Sequence, residues 1–199
     1  MVAEKPSICT AIAQALSKNN MNSRGKTPPV HEFEANFLGK RAFIRVTSVT
    51  GHIFSVDFPK QYQSWETVKP SELFDAPVQS VAESKGIIHH LEREAKNMDY
   101  LVLWLDCDRE GENICFEVIK CVEKSMNRPA NPQQQFIYRA KFSAVTPKDI
   151  EKAMSALVSP NENESLAVEV RQELDLKVGV AFSRFQTQYF QGNFIIHCS

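Results

Sequence analysis

Tyr100-Leu-Val-Leu-Trp-Leu105 runs directly into Asp106-Cys-Asp108-Arg-Glu110-Gly-Glu112. The first six residues are short and apolar throughout, the pattern of a parallel strand buried on both faces. Acidic residues follow at once. Ile114, Val118 and Val122 then recur at four-residue steps, which predicts a helix over Glu112 to Val122. A strand, an acidic turn and a helix in that order place carboxylates at the carboxyl end of a strand, where open α/β sheets bind ligands.

The same alternation of strand and helix extends outward from this stretch. Met1-Val2-Ala3 reads as the end of a buried strand, and Pro6 opens a helix to about Ser17 with Ile8, Ile12, Ala15 and Leu16 at helical spacing. Residues 19–29 are polar, with Gly25 and two prolines, and predict a loop. Val30 to Phe37 and Arg41 to Val49 predict two strands joined through Leu38-Gly39-Lys40. Residues 57–79 carry Pro59, Pro70 and Pro77 and predict an irregular excursion. Helices are expected over Ser84 to Met98 and Pro147 to Leu157, with a strand over Gln135 to Phe142 between them. The order predicts an α/β domain with a largely parallel sheet. Beyond the polar linker 159–164, Leu166, Val170, Leu174, Val178 and Phe182 step by four along a long amphipathic helix that starts a second unit. The terminal Phe194-Ile-Ile-His-Cys-Ser199 carries no stop signal of a finished domain.

Composition narrows the function classes. The 199 residues are 43% hydrophobic and 24% charged, enough apolar surface for a core. A net charge of −1 supplies no global field for nucleic acid, so any such binding needs a local patch. There is no run of 18 apolar residues and no signal-peptide core near Met1, which predicts an intracellular chain without a membrane span. The five cysteines, Cys9, Cys107, Cys115, Cys121 and Cys198, are odd in number and contain no C-x-x-C pair. A disulfide framework and a structural zinc site are therefore not expected, and most of these thiols should pack as small hydrophobes.

Four groups of residues can carry chemistry. Asp106 and Asp108 lie two apart in extended chain, so their side chains point the same way, and Glu110 sits where the chain bends into the helix. Three carboxylates held together need a cation, and hard oxygen donors suit Mg²⁺, which keeps waters and takes phosphate as a further ligand. The competing reading is a solvated acidic loop that stabilises the helix start. Glu4-Lys5-Pro6-Ser7 ends the first strand; beside Asp106, Glu4 would be a raised-pKa general acid and Lys5 a phosphate contact, unless the four residues simply start a helix. His52, after Gly51, can bond phosphate, position an acid or be structural. Arg171 and Asp175, four apart on the long helix, either meet a phosphate or form a solvated ion pair.

Val2-Ala-Glu-Lys-Pro-Ser7, Ser48-Val-Thr-Gly-His52, Leu103 to Glu117, and Arg171-Gln-Glu-Leu-Asp-Leu-Lys-Val-Gly179 through Arg184-Phe-Gln-Thr187 together resemble eukaryotic DNA topoisomerase III, of the type IA family. Trp104-Leu-Asp-Cys-Asp108 and Tyr189-Phe-Gln-Gly192 resemble the beta form most. The resemblance runs nearly end to end. It implies a Toprim domain over 1–150, a Rossmann-like sheet flanked by helices. It also implies that 151–199 begin a helical, DNA-holding domain. It implies transient cleavage of one DNA strand by a tyrosine, leaving a 5′-phosphotyrosyl link and a free 3′-hydroxyl, then strand passage and rejoining without ATP. By motif, Glu4 becomes the acid/base at the 3′-oxygen, Lys5 steadies the phosphate, Asp106, Asp108 and Glu110 hold Mg²⁺, and His52, Arg171 and Asp175 face DNA. Single-stranded DNA is the implied partner, with RNA, a RecQ-type helicase and a Tudor-domain helper also in the family's range, in the nucleus or the cytoplasm.

Two departures accompany the resemblance. The family has a few more residues ahead of Val2. Of the four tyrosines, Tyr62, Tyr100, Tyr138 and Tyr189, none lies in the Pro-Arg-Thr context of the family's nucleophile, which belongs to a later domain. Two alternatives therefore stand beside the strand-passing isomerase: another Toprim enzyme, a metal nuclease or primase, and an inactive fragment that only binds nucleic acid.

Overall fold

The computed structural model describes residues 1–190, so the expectations for Phe194 to Ser199 and for Cys198 lie outside the described residues. The chain divides into two compact units. Residues 1–53 with 83–166 form the first, and 54–82 with the described residues from 167 to 190 form the second.

The first unit is built on a six-stranded mixed sheet. Its strands are β1 (Val2–Ala3), β2 (Asn22–Arg24), β3 (Val30–Phe37) and β4 (Lys40–Ser48), then β7 (Leu101–Trp104) and β8 (Ile137–Arg139). Strands β5 and β6 belong to the second unit. The spatial order is β2-β3-β4-β1-β7-β8. The pairs β4/β1, β1/β7 and β7/β8 are parallel, while β2/β3 and β3/β4 are antiparallel. The expected α/β architecture with a largely parallel sheet is what forms, with an antiparallel flank added. That flank follows from the β3–β4 hairpin. Leu38 (φ 50°) and Gly39 (φ 78°) are both left-handed, the two-residue turn whose twist matches that of its strands. β2 was not expected; it is an exposed three-residue edge strand within the polar loop, too short for its pattern to show.

Helices cover this sheet. α1 (Pro6–Ser17) starts on its proline and ends at Lys18 in the left-handed conformation. It packs with α4 (Pro147–Ser155), whose start is capped by Thr146 accepting from Asp149 N. Cys9, Ile12, Ala13, Ile150 and Ala153 of these helices bury with Ala3, Phe33, Ile44, Val46, Val102 and Trp104 of the sheet. Leu101 and Leu103 alternate to the opposite face, and all four β7 residues are buried. α2 (Lys85–Ala95) packs with α3 (Arg109–Val122).

α3 begins three residues before its expected start at Glu112. Asp108 is its N-cap and accepts the Gly111 N–H at 2.7 Å, so Glu110 lies in the first helical turn rather than at a bend. Gly111 is required there. A Cβ on it would lie 2.0 Å from the Asp106 carbonyl oxygen, so only glycine lets the helix start so close to the strand end.

In the second unit, residues 57–79 are not wholly irregular. β5 (Phe54–Asp57) pairs antiparallel with β6 (Gln79–Ala82), bracketing two short 3₁₀ turns. Phe58, Val68, Leu73, Ala76 and Ala181 form a small core. The long helix α5 (Glu162–Phe190) runs from the first unit into the second. Its expected apolar stripe, Leu166, Val170, Leu174, Val178 and Phe182, is exposed, whereas Ala181, Leu176 and Val180 pack inward. No described helix is long and apolar enough to cross a membrane. Cys9, Cys115 and Cys121 are buried as expected, while Cys107 is exposed.

Candidate active site at the carboxyl ends of the parallel strands

β1 and β7 are parallel neighbours with Ala3 opposite Trp104, so the residues after each strand emerge side by side. The Glu4 carboxylate accepts the backbone N–H of Asp106 at 3.0 Å. Lys5 Nζ stands 3.5 Å from Glu4 Oε1 and 3.6 Å from Asp106 Oδ2, a half-exposed cation between two carboxylates. The charge of Glu4, then that of Asp106, raises the Lys5 pKa, so its ammonium is held charged. The expected juxtaposition of Glu4, Lys5 and Asp106 is thus what the sheet produces.

The other two carboxylates are turned elsewhere. Asp108 Oδ1 accepts the Gly111 N–H as the α3 N-cap, a bond that neither reading of the acidic turn anticipated. Glu110 Oε2 is 3.1 Å from His52 Nε2. The structure does not gather Asp106, Asp108 and Glu110 into one cluster, and among the described residues no three histidine, cysteine or acidic side chains are grouped to hold a metal. Mg²⁺ does not require such a cage: it is commonly held by one or two carboxylates, with waters and substrate phosphate completing six oxygens. Exposed, all-oxygen donors at a strand end beside a cation suited to phosphate fit that mode.

His52 contacts two acids. Its Nδ1 lies 2.9 Å from Glu117 Oε1 while its Nε2 meets Glu110. Glu110 and Glu117 are two turns apart on one face of α3, so one imidazole spans both. Hydrogen bonding to Glu117 comes first in raising the His52 pKa; burial opposes it, and Glu110 adds to it. An imidazole between two carboxylates can donate to both only when both its nitrogens carry protons, and the two carboxylates favour that form. Glu117 also accepts the Ile53 N–H at 2.6 Å, tying the Gly51-His52 turn to the helix. Nothing in the sequence flags that Glu117–His52 pairing, because the two residues are 65 apart.

Beneath the acidic turn lies a buried ionic group that the sequence does not reveal. Arg139 and Glu112 are both fully buried, with Arg139 Nε donating to Glu112 Oε1 at 2.9 Å. Glu112 also accepts from Lys141 and from the Asn161 N–H at 3.1 Å. Burial pushes the Glu112 carboxyl up, but Lys141, the Asn161 N–H and Arg139 outweigh it and hold the carboxyl below its ordinary range. Arg171 and Asp175 belong to the second unit, where Arg171 Nε is 3.9 Å from Asp175 Oδ2 and both are exposed.

Comparison with known proteins agrees with this geometry. A family model described as the Toprim domain matches residues 1–145. DNA topoisomerase 3-beta of Arabidopsis thaliana is 57% identical over 98% of this chain, and DNA topoisomerase 3-beta-1 of Homo sapiens is 44% identical over 98%. DNA topoisomerase 3-alpha of Homo sapiens is 39% identical over 96%, so the similarity is greater to these beta forms. The chain spans 22%, 23% and 19% of the length of these three relatives, about a fifth of each. A sheet that brings Glu4 and Lys5 beside Asp106, and a match that covers the whole of that sheet, lead to one conclusion: this chain, similar over nearly all its length to part of the DNA topoisomerases 3, belongs to the Toprim domain family.

Proposed function

We propose that this chain is the phosphate-handling part of a type IA DNA topoisomerase of the topoisomerase III kind, with residues 1–150 as its Toprim domain and 151–199 as the start of a DNA-holding domain. The observation that carries the reading is the placement of Glu4 and Lys5 against Asp106 at the ends of two adjacent parallel strands. The names of the relatives supply the substrate class.

In this mechanism a tyrosine from elsewhere in the whole protein attacks the backbone phosphorus, and the P–O bond to the 3′-oxygen breaks. Glu4 gives that oxygen a proton, and in rejoining takes it back while the tyrosine leaves. Lys5, charged and solvent-facing, holds the phosphate oxygens. Asp106 and Asp108, together with Glu110, would hold Mg²⁺, which would supply positive charge to the phosphate. His52 keeps Glu110 oriented through the contact of its Nε2 with Glu110 Oε2. Arg171 and Asp175 contact the DNA backbone in the second unit. Single-stranded DNA is the substrate, with RNA a second one. A RecQ-type helicase or a Tudor-domain protein is the partner by family resemblance, in the nucleus or the cytoplasm.

One observation favours a restricted role for the 199 residues alone. Tyr100 precedes β7, at the opposite end of that strand from Asp106, and packs edge-on against Phe37. Tyr138 also packs edge-on against Phe37, and burial raises its pKa, the wrong direction for a nucleophile. The test is a plasmid relaxation assay with Mg²⁺ on this chain and on a chain extended to the relatives' length. Relaxation by the longer chain only is expected. Relaxation by the 199 residues, or none by the longer chain, would overturn the reading.

A further inference from the structure

Arg139 spends its guanidinium entirely inside the first unit. Nε donates to Glu112 Oε1 at 2.9 Å, Nη2 to the Asp106 carbonyl at 2.7 Å, and Nη1 to the Ala140 carbonyl at 2.7 Å and the Leu103 carbonyl at 3.3 Å. The side chain has no exposure. A charge in that position is costly unless nearly every donor is met, and here four bonds meet it. Its partners have a pattern. Leu103 lies in β7, Asp106 is the first residue of the acidic turn, and Glu112 is in the first turns of α3. One planar fork therefore holds both ends of the segment 106–112.

Two further contacts close the same segment. The Asp106 carbonyl that receives Arg139 is also the group against which Gly111 is packed, so the helix start and the arginine meet at one oxygen. Cys107 Sγ donates to the Phe142 carbonyl at 3.1 Å and accepts the Phe142 N–H at 3.2 Å. The loop is thus tied also to Phe142, just beyond the strand that carries Arg139. Asp108 and Glu110 fall inside the closed segment, and their side chains are the ones that differ in what they face.

We propose that Arg139 is the positioning residue of the acidic turn: paired with Glu112, it clamps the segment from Asp106 to Glu112 and sets how Asp106, Asp108 and Glu110 are presented to a divalent cation and phosphate. Its consequence for the cation rests on the function proposed above; the clamp itself does not. Mg²⁺ tolerates little departure from octahedral geometry, so donors on a loose turn would bind it poorly. Partners that orient ligands from behind are worth 10–100-fold in affinity, as an order of magnitude. Arginine is needed because its fork meets a carboxylate and carbonyls at once; the ammonium of lysine, on a shorter reach, cannot.

The experiment uses Arg139→Lys, Glu112→Gln, Asp108→Asn and Glu94→Gln in the 199-residue chain, with two readouts. The first is amide hydrogen exchange without metal. Arg139→Lys should speed exchange at Gly111 and Glu112 at least about tenfold more than at Val102 in β7. Equal acceleration across the sheet, or none, would overturn the clamp. The second is Mn²⁺ affinity from water-proton relaxation. Arg139→Lys should weaken it by about 10–100-fold, while Glu94→Gln, which removes a buried carboxylate away from this turn, should lower the melting temperature and leave affinity at the parent value. Parent affinity in a folded Arg139→Lys chain would overturn the positioning role. Should Arg139→Lys not fold, Glu112→Gln, which keeps the shape and loses the charge, is held to the same two outcomes. If Asp108→Asn leaves Mn²⁺ binding unchanged, the metal reading fails by itself, and hydrogen exchange still decides the clamp.

Discussion

Glu4 and Asp106 are 102 residues apart in sequence, yet the Glu4 carboxylate accepts the Asp106 backbone N–H at 3.0 Å. The contact exists because β1 and β7 are parallel and adjacent, and because each chain turns just past its last paired residue. It leaves Glu4 Oε1 facing Lys5.

Glu4 and Lys5 should separate kinetically in a chain of full length. Glu4→Gln keeps the hydrogen-bond acceptor for Asp106 and loses the proton, so cleavage and rejoining should both fall by about 10²–10⁴-fold. Lys5→Ala should lower cleavage while keeping a pH-dependent limb, because it removes charge at the phosphate and leaves the Glu4 proton donor in place. Single-turnover cleavage of an oligonucleotide across pH distinguishes them. A parent rate and pH profile in Glu4→Gln would make Glu4 structural.

Asp108 has two roles that two substitutions can divide. Asparagine caps helices as well as aspartate does, so Asp108→Asn should leave the melting temperature nearly unchanged. Losing the charge should weaken Mn²⁺ at least about tenfold. Asp108→Ala should weaken Mn²⁺ similarly and in addition cost about 1 kcal/mol of stability through the lost bond to Gly111 N. Thermal melts beside Mn²⁺ relaxation titrations read the two effects. Equal melting temperatures for the two variants would dismiss the cap.

Two glycines in helices should respond with opposite signs. Gly111→Ala places a Cβ on the Asp106 carbonyl and should destabilise by roughly 2–4 kcal/mol. Gly179, within α5, has nothing within 4 Å of the added carbon, so Gly179→Ala should stabilise by about 0.4–1 kcal/mol. Denaturant melts of both variants test this; a stabilised Gly111→Ala would mean that the strand end and helix start are not held together.

Stability should fall in acid through Glu94. Burial pushes its carboxyl up, but bonds from Arg24 and Arg93, with the charges of Arg24 and Arg45, outweigh it and bring the pKa down to about 2. A depressed folded pKa contributes stability that is complete above the unfolded value, near 4.5, and is lost as pH falls from there toward about 2. Glu94→Gln should flatten that slope and cost about 2 kcal/mol at pH 7. Urea melts between pH 2 and 7 measure both; an unchanged slope would remove Glu94 as its source.

Local pattern was enough for much of this protein. The apolar run 100–105, the four-residue steps of α1 and α3, and Leu38-Gly39 specify their elements because burial period and turn geometry are short-range properties. That Glu4, Lys5 and Asp106 follow the ends of β1 and β7 was legible for the same reason: strand ends are visible locally. Tertiary structure decided the rest. The β5–β6 ribbon has no alternation to read, because its strands are four residues long and pair across a 21-residue excursion. Asp108 as a cap, and hence the earlier start of α3, depends on how close Gly111 comes to Asp106, a backbone distance that no residue pattern encodes. His52 between Glu110 and Glu117, and Arg139 on Glu112, join residues 58, 65 and 27 apart. Such contacts form only when the folded chain has brought distant residues together and, for Arg139 and Glu112, expelled the water around them.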